Sequence, residues 1–125
     1  YIIEHDRIMG YVKDFMVRNR ISDGYACVYC KRAMLKCAEM LAERIGCDAV
    51  LTGDNLGQVA SQTVQNLYAE EIFLKIPVIR PLIGYDKDEI VNIAKEAGTY
   101  EISIEKGDGC RFLPERLITK AKKEK

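Results

Sequence analysis

The chain has no tryptophan, three prolines and one histidine among its 125 residues. A single histidine, His5, excludes a zinc site built on histidine pairs. There is no surplus of either charge: 19 Lys and Arg stand against 19 Asp and Glu, for a formal net charge of zero. A global attraction for nucleic acid or a membrane surface is therefore absent, and any RNA contact has to be local. No run approaches the roughly 18 to 20 apolar residues that span a bilayer. No secretory signal is read at the start, because Tyr1-Ile2-Ile3 is interrupted at once by Glu4, His5, Asp6 and Arg7. Internal repeats and low-complexity segments are also missing. The one concentrated basic stretch, Lys120, Lys122, Lys123 and Lys125, reads as a solvated, frayed end. The chain begins without Met and is expected to have been cut from something longer.

What is there is a soluble globular composition, 48% hydrophobic and 30% charged, of a length suited to one core, so residues 1–125 are read as a single α/β domain. Ile8, Val12, Phe15 and Met16 recur at helical spacing and predict a helix over residues 4–17. Met34, Leu35, Ala38, Leu41, Ala42 and Ile45 predict a second over residues 29–45, closed by Gly46. The apolar centre of residues 48–52 reads as a buried parallel strand covered on both faces, and residues 77–82 as a second strand bounded by prolines. Between them, residues 58–71 are expected to be helical. Asp86 followed by Glu89 forms a capping-box start for a helix ended by Gly98, and residues 100–104 read as a weak strand. This order indicates an open, mostly parallel sheet with helices on both faces.

Five cysteines without a secretory signal argue for a reducing compartment, the cytoplasm, and for catalytic, metal-binding or buried thiols. Cys27 and Cys30 sit three apart at a helix start, where the dipole and the neighbouring Lys31 and Arg32 are expected to favour thiolates. They could serve as redox partners, cluster ligands or a zinc half-site. Cys37 and Cys47 are expected to be small core residues. Cys110 lies in the polar, glycine-rich stretch 106–111, so exposure and reactivity are expected there. Residues 52–63, a strand end running through Gly53-Asp54-Asn55-Leu56-Gly57 into a helix, offer a ligand site at the carboxyl edge of the sheet, with helix-start amides for phosphate oxygens.

The sixteen residues 52–67, Thr-Gly-Asp-Asn-Leu-Gly-Gln-Val-Ala-Ser-Gln-Thr-Val-Gln-Asn-Leu, resemble the signature of the tRNA 4-thiouridine synthetase (thiamine-biosynthesis sulfurtransferase) family, with Asp54-Asn55 where that family usually has Glu-Ser. Residues 80–90 and 98–104 continue the resemblance in order. It implies an adenine nucleotide alpha hydrolase-like fold with a PP-loop, of which this chain would be the carboxyl-terminal part, since the family's Ser-Gly-Gly-x-Asp-Ser phosphate loop does not occur in it. It further implies a sulfurtransferase that uses ATP with Mg2+ to adenylate a tRNA uridine and then delivers sulfur to form 4-thiouridine, inactive here without the upstream nucleotide-binding part. Lys31, where the family usually has arginine, Gly53 and Gln62 stand at nucleotide-contacting positions, and Cys110 at that of the persulfide-bearing cysteine. Cys27, Cys30 and Cys110 together are similar to the three-cysteine pattern of archaeal members, which implies an iron–sulfur cluster with one open iron, ahead of a persulfide-only relay. Implied partners are tRNA and a sulfur donor, either a cysteine desulfurase or sulfide. The competing readings are a sulfur carrier for the thiamine thiazole, a non-catalytic iron–sulfur or metal-binding module, and a remnant that forms a homodimer.

Overall fold

In a computed structural model, which describes residues 1–105, 107 and 110–122, the helical stripe of the amino-terminal segment becomes α1, His5–Arg18. Met9 and Met16 on that stripe are buried. The chain leaves α1 through Asn19, whose side chain donates back to the Phe15 carbonyl at 2.8 Å, and Arg20, which takes a left-handed φ of 54°. A single 3-10 turn, Asp23–Tyr25, then delivers it into α2, Ala26–Ile45. α2 starts three residues earlier than its apolar periodicity suggests, so Cys27 and Cys30 lie within its first turns. It ends where Gly46 adopts φ 74°, ψ 38°, a conformation that costs a Cβ-bearing residue strain.

β1, Val50–Leu51, pairs in parallel with β2, Val78–Ile79, in the register Val50 to Val78 and Leu51 to Ile79. α3, Val64–Glu71, forms the crossover between them. Both strands are shorter than expected. Leu51 and Ile79 are 66% and 47% exposed, so the expected cover over both faces is not present among the described residues. With period-two alternation, only every second side chain of a two-stranded ribbon reaches the helical layer. The core joins α1, α2 and α3: Met16, Tyr25, Ala26, Val28 and Ala69, with Ile118 and Ala121 of the carboxyl-terminal segment packed against them.

Three further expectations are corrected or refined. Residues 58–63 are turns rather than helix, because Thr63 is the N-cap of α3 and its hydroxyl accepts the Asn66 amide at 3.3 Å. The capping box of α4, Lys87–Glu96, forms as read: the Glu89 amide donates to Asp86 and the Asp86 amide to Glu89, at 2.9 and 2.7 Å. Residues 100–103 are a short helix, α5, not a strand. Among the described residues the alternating Tyr100, Ile102 and Ile104 have no partner strand, and the Ser103 and Ile104 amides instead donate to the Thr99 and Tyr100 carbonyls at 3.1 Å.

Candidate functional site

Three residues apart on α2, Cys27 and Cys30 share one face of the helix and are both half-buried. Cys30 Sγ lies 3.2 Å from Nε2 of His5, at the start of α1, and 3.9 Å from Met34 Sδ. Cys110 is exposed, and its neighbour Arg111 reaches Asp6 of α1 at 3.6 Å, which tethers the Cys110 segment over the same end of the molecule. Lys106, Asp108 and Gly109 of the expected loop lie outside the described residues, as do Lys123 and Lys125 of the basic run.

The thiols sit close enough to act on one another's charge. Burial pushes the Cys30 thiol up to about 11, the charges of Cys110 and Cys27 add to the rise, and Lys31 opposes it. Cys27 is raised in the same way, by burial first and by Cys110 second. The expectation that α2's start and two cations would favour thiolates is therefore corrected. Both cations are engaged elsewhere: Lys31 with carboxylates, and Arg32 with the Ala69 carbonyl at 2.8 Å while its guanidinium stacks 5.0 Å from the ring centres of Tyr29 and Phe73. Partial burial and thiol–thiol repulsion then outweigh what remains of the attraction. Among the described residues, no three His, Cys, Asp or Glu side chains are placed to hold a metal ion together. As arranged here, Cys27, Cys30 and Cys110 are electrostatic neighbours rather than an assembled ligand set, and they do not fit a cluster in this conformation. Cys37 is half-buried, while Cys47, expected in the core, is exposed just past the end of α2.

Beside the thiols, the loop after β1 is organised by Asp54. Thr52 Oγ1 donates to its Oδ2 at 2.8 Å, Lys31 Nζ to its Oδ1 at 3.0 Å, and Arg80 approaches at 3.4 Å while also pairing with Glu71. Burial alone would push the Asp54 carboxyl up, but the hydrogen bonds from Thr52 and Lys31 and the charges of Lys31 and Arg80 prevail and hold it below the usual range. Glu70, on α3, is fully buried 3.8 Å from Lys31, and burial raises its carboxyl to about 7 against the pull of Lys31. Asn55 is buried and donates to the Leu82 and Tyr85 carbonyls, fixing the loop to the turn after β2.

Two cavities open here. One, of about 220 Å3, is lined by Lys31, Met34, Leu35, Gly53, Asp54 and Glu70, with Thr52 beside them. The other, of about 310 Å3, is lined by Gly53, Asn55, Gln58, Gln62, Lys87 and neighbouring apolar residues. Gly53 belongs to both, with Lys31 lining the first and Gln62 the second. The amides expected to meet phosphate at a helix start are not there, since α3 begins only at Val64. A further cavity of about 620 Å3 between Tyr1–Ile3 and α2 is lined by none of these site residues.

Sequence reasoning passed over four residues that build this region. His5 contacts Cys30, Glu70 forms a cavity wall, and Gly24 lies against the carboxyl-terminal segment. Asn66 is fully buried within the matched signature. It donates to the Ser61 and Ile118 carbonyls at 3.0 and 2.7 Å and accepts the Ala121 amide at 3.0 Å. Thr63 adds a 2.7 Å hydrogen bond to the Thr119 carbonyl. A polar, amide-bearing residue on the inward face of a short helix was the available signal for Asn66.

Residues 7–125 match the model of the family described as Thiamine biosynthesis protein (ThiI). The chain is 56% identical over 102 residues to the probable tRNA sulfurtransferase of Methanocaldococcus jannaschii, covering 82% of this chain and 27% of that protein. It is 44% identical over 112 residues to the probable tRNA sulfurtransferase of Bacillus licheniformis, covering 88% and 28%. A crystal structure of a 4-thiouridine synthetase–RNA complex with bound ATP superposes with a TM-score of 0.79 at 46% identity, covering 88% of this chain and 29% of that one. The chain thus spans about a quarter of the length of these relatives. No helix among the described residues is long and apolar enough to cross a membrane.

Proposed function

The chain belongs to the Thiamine biosynthesis protein (ThiI) family, and from that premise we propose that it is the thiol-bearing part of a tRNA sulfurtransferase. Residues 1–125 act as one α/β unit, completed by a nucleotide-binding part of the same protein. The reaction has two halves. ATP, with Mg2+, adenylates a carbonyl oxygen of a tRNA uridine. The outer sulfur of a persulfide on Cys110 then attacks that carbon, the carbon–oxygen bond breaks and AMP leaves. A second thiol attacks the Cys110 sulfur, the sulfur–sulfur bond breaks, 4-thiouridine is released, and the disulfide left behind is reopened by a thiol reductant. Lys31, Gly53 and Gln62 contact the nucleotide. Cys110 carries the sulfane sulfur, transferred thiol to persulfide from a cysteine desulfurase, and its exposure suits a group that must meet both donor and base. Sulfide, already reduced, is the donor only in the cluster reading. Cys27 and Cys30 are the neighbouring thiols. An iron–sulfur cluster on the three cysteines would supply an open iron for sulfide, but no step is assigned to it, because the thiols are not gathered as ligands. The free thiols support work in a reducing compartment such as the cytoplasm.

The observation that carries this reading is that the Cys110 segment is tied through Arg111 to Asp6 at 3.6 Å, next to His5, whose Nε2 lies 3.2 Å from Cys30 Sγ, while Lys31 and Gly53 on the adjoining elements line one cavity. The test is thiouridine formation, read by nucleoside mass spectrometry, when the protein at its full natural length meets ATP, a sulfur donor and unmodified tRNA. Wild type is expected to form the product and Cys110→Ser to form none while remaining folded. Thiouridine in the Cys110→Ser reaction overturns the assignment. The Cys27→Ala/Cys30→Ala pair separates the cofactor readings: a Cys110 relay survives it, a three-thiolate cluster does not. The family's thiamine description favours one second reading, sulfur delivery to the thiazole through the same Cys110.

A further inference from the structure

Glu70 is the only carboxylate among the described residues whose two oxygens are both buried and neither hydrogen-bonded. Its side chain is 1% exposed, and Lys31 Nζ, 3.8 Å away, is already given to Asp54 at 3.0 Å. A carboxylate buried without hydrogen bonds costs stability. It forms part of the wall of the cavity of about 220 Å3, together with the apolar side chains of Met34 and Leu35. The volume is below the about 300–1,000 Å3 of sites that enclose drug-sized ligands, so it suits a single ring rather than a whole nucleotide. Two carboxylates around one ammonium also make it a poor phosphate site. The donor and acceptor groups are arranged for something else: a carboxyl that is acceptor-only once ionised, above about pH 7, next to a donor-only ammonium, with apolar side chains beside them for a flat ring.

We propose that Glu70 is a specificity-determining residue, its carboxylate accepting the ring N–H of the uracil base to be modified, with that base seated between α2 and the end of β1. This rests on the thiolation reading above. Uracil presents an N–H flanked by carbonyl oxygens, which matches Glu70 with Lys31 beside it. Cytosine and adenine turn a lone pair towards the carboxylate at the equivalent ring nitrogen and are disfavoured. The position is also apt for the chemistry, since the charge of Glu70 is felt by both Cys27 and Cys30.

The test compares uridine with N3-methyluridine, which lacks the ring N–H, as ligands of the full-length protein, titrated by saturation-transfer NMR at about pH 8, where Glu70 is ionised. Wild type should prefer uridine by about tenfold or more, the worth of one hydrogen bond to a charged group. Glu70→Leu, which removes the acceptor without leaving another group unpaired, should bind the two nucleosides equally while its melting temperature is at least that of wild type. Glu70→Gln, a neutral acceptor of the same shape, should fall between them. Equal preference in wild type and both variants, or no uridine binding to wild type, overturns the proposal. Thiouridine formation by the same wild-type preparation keeps the two ideas apart. Product formed with a preference indifferent to Glu70 rejects the base pocket alone, whereas a Glu70-dependent preference without product upholds the pocket and rejects the activity.

Discussion

Lys31 Nζ donates a 3.0 Å hydrogen bond to Asp54 Oδ1, joining the second turn of α2 to the loop that follows β1. The bond closes one cavity wall, and it draws Lys31 away from the thiols one residue before it. It also explains how Asp54 stays ionised despite its burial. Replacing Lys31 by Met leaves Asp54 with Thr52 and Arg80 and leaves Glu70 without its nearest cation. We expect a loss of about 2 kcal/mol in urea denaturation, below the about 3–5 kcal/mol for breaking a fully buried pair, because Lys31 is a quarter exposed. Lys31→Arg should keep most of the stability, since a guanidinium can serve both carboxylates. A change below about 0.5 kcal/mol for Lys31→Met would show that the pair is energetically idle.

Glu70 gives the fold a pH dependence of defined sign. Its carboxyl is raised from 4.5 to about 7 in the folded chain, so between those values the folded state holds a proton that the unfolded state has lost. Its contribution is full below about pH 4.5 and disappears as pH rises through about 7. The total is on the order of 3 kcal/mol. Glu70→Leu should therefore be more stable than wild type at about pH 8, with the gap narrowing towards about pH 5. Thermal melts across that range check it, and parallel curves for the two proteins would remove Glu70 as the source.

The same accounting predicts an order of thiol reactivity. Cys47 and Cys110 are exposed, while Cys27 and Cys30 are half-buried and held above the normal thiol range by burial and by Cys110. Iodoacetamide at about pH 8 should modify the first two well before the second two. Cys110→Ser removes a charge that opposes ionisation, so Cys27 and Cys30 should then alkylate faster at alkaline pH. Peptide mass spectrometry over time resolves each site. Cys30 reacting as fast as Cys47 would contradict its burial and its raised pKa.

The local signals in the sequence were those that local physics decides. The Asp86–Glu89 box, the Gly46 stop and the helical stripe of α1 each depend on neighbours within a turn, and each formed as read. The parallel pairing was also legible, from two apolar runs separated by a helix. What failed depends on distant partners. Tyr100, Ile102 and Ile104 alternate like a strand, but a strand needs a neighbour and the described residues offer none. Val59 and Thr63 kept helical spacing, yet the Thr63 hydroxyl capped a later start. The thiolate expectation failed because Lys31 and Arg32 are committed to partners 23 and 37 residues away, which periodicity cannot reveal.

Asn66 of the 52–67 signature and Gly24 before α2 both hold the segment that follows Cys110. Asn66 grips the carboxyl-terminal segment at Ile118 and Ala121, and the Ile118 amide donates to the Gly24 carbonyl at 3.2 Å from the other side. A Cβ on Gly24 would lie 2.7 Å from the Arg116 carbonyl and 3.0 Å from Ile118 Cγ1, so Gly24→Ala must push residues 116–118 outward. Overpacking of this kind costs about 1–3 kcal/mol. Asn66→Leu instead leaves buried carbonyl and amide groups unpaired, at about 1–3 kcal/mol for each group lost from water. Asn66 lies on α3 and Gly24 in the turn before α2, three residues from Cys27, and both substitutions loosen the segment that follows Cys110 and thereby its approach to Cys30. Each should lower thiouridine formation at least several-fold while leaving ATP binding by the full-length protein unchanged. Tightening the remaining tether should not rescue them, because Arg111 meets Asp6 on the exposed surface, where such pairs contribute little. Full thiolation activity in Gly24→Ala, with a melting temperature lowered as expected, would mean that Cys110 is held by residues on its amino-terminal side instead.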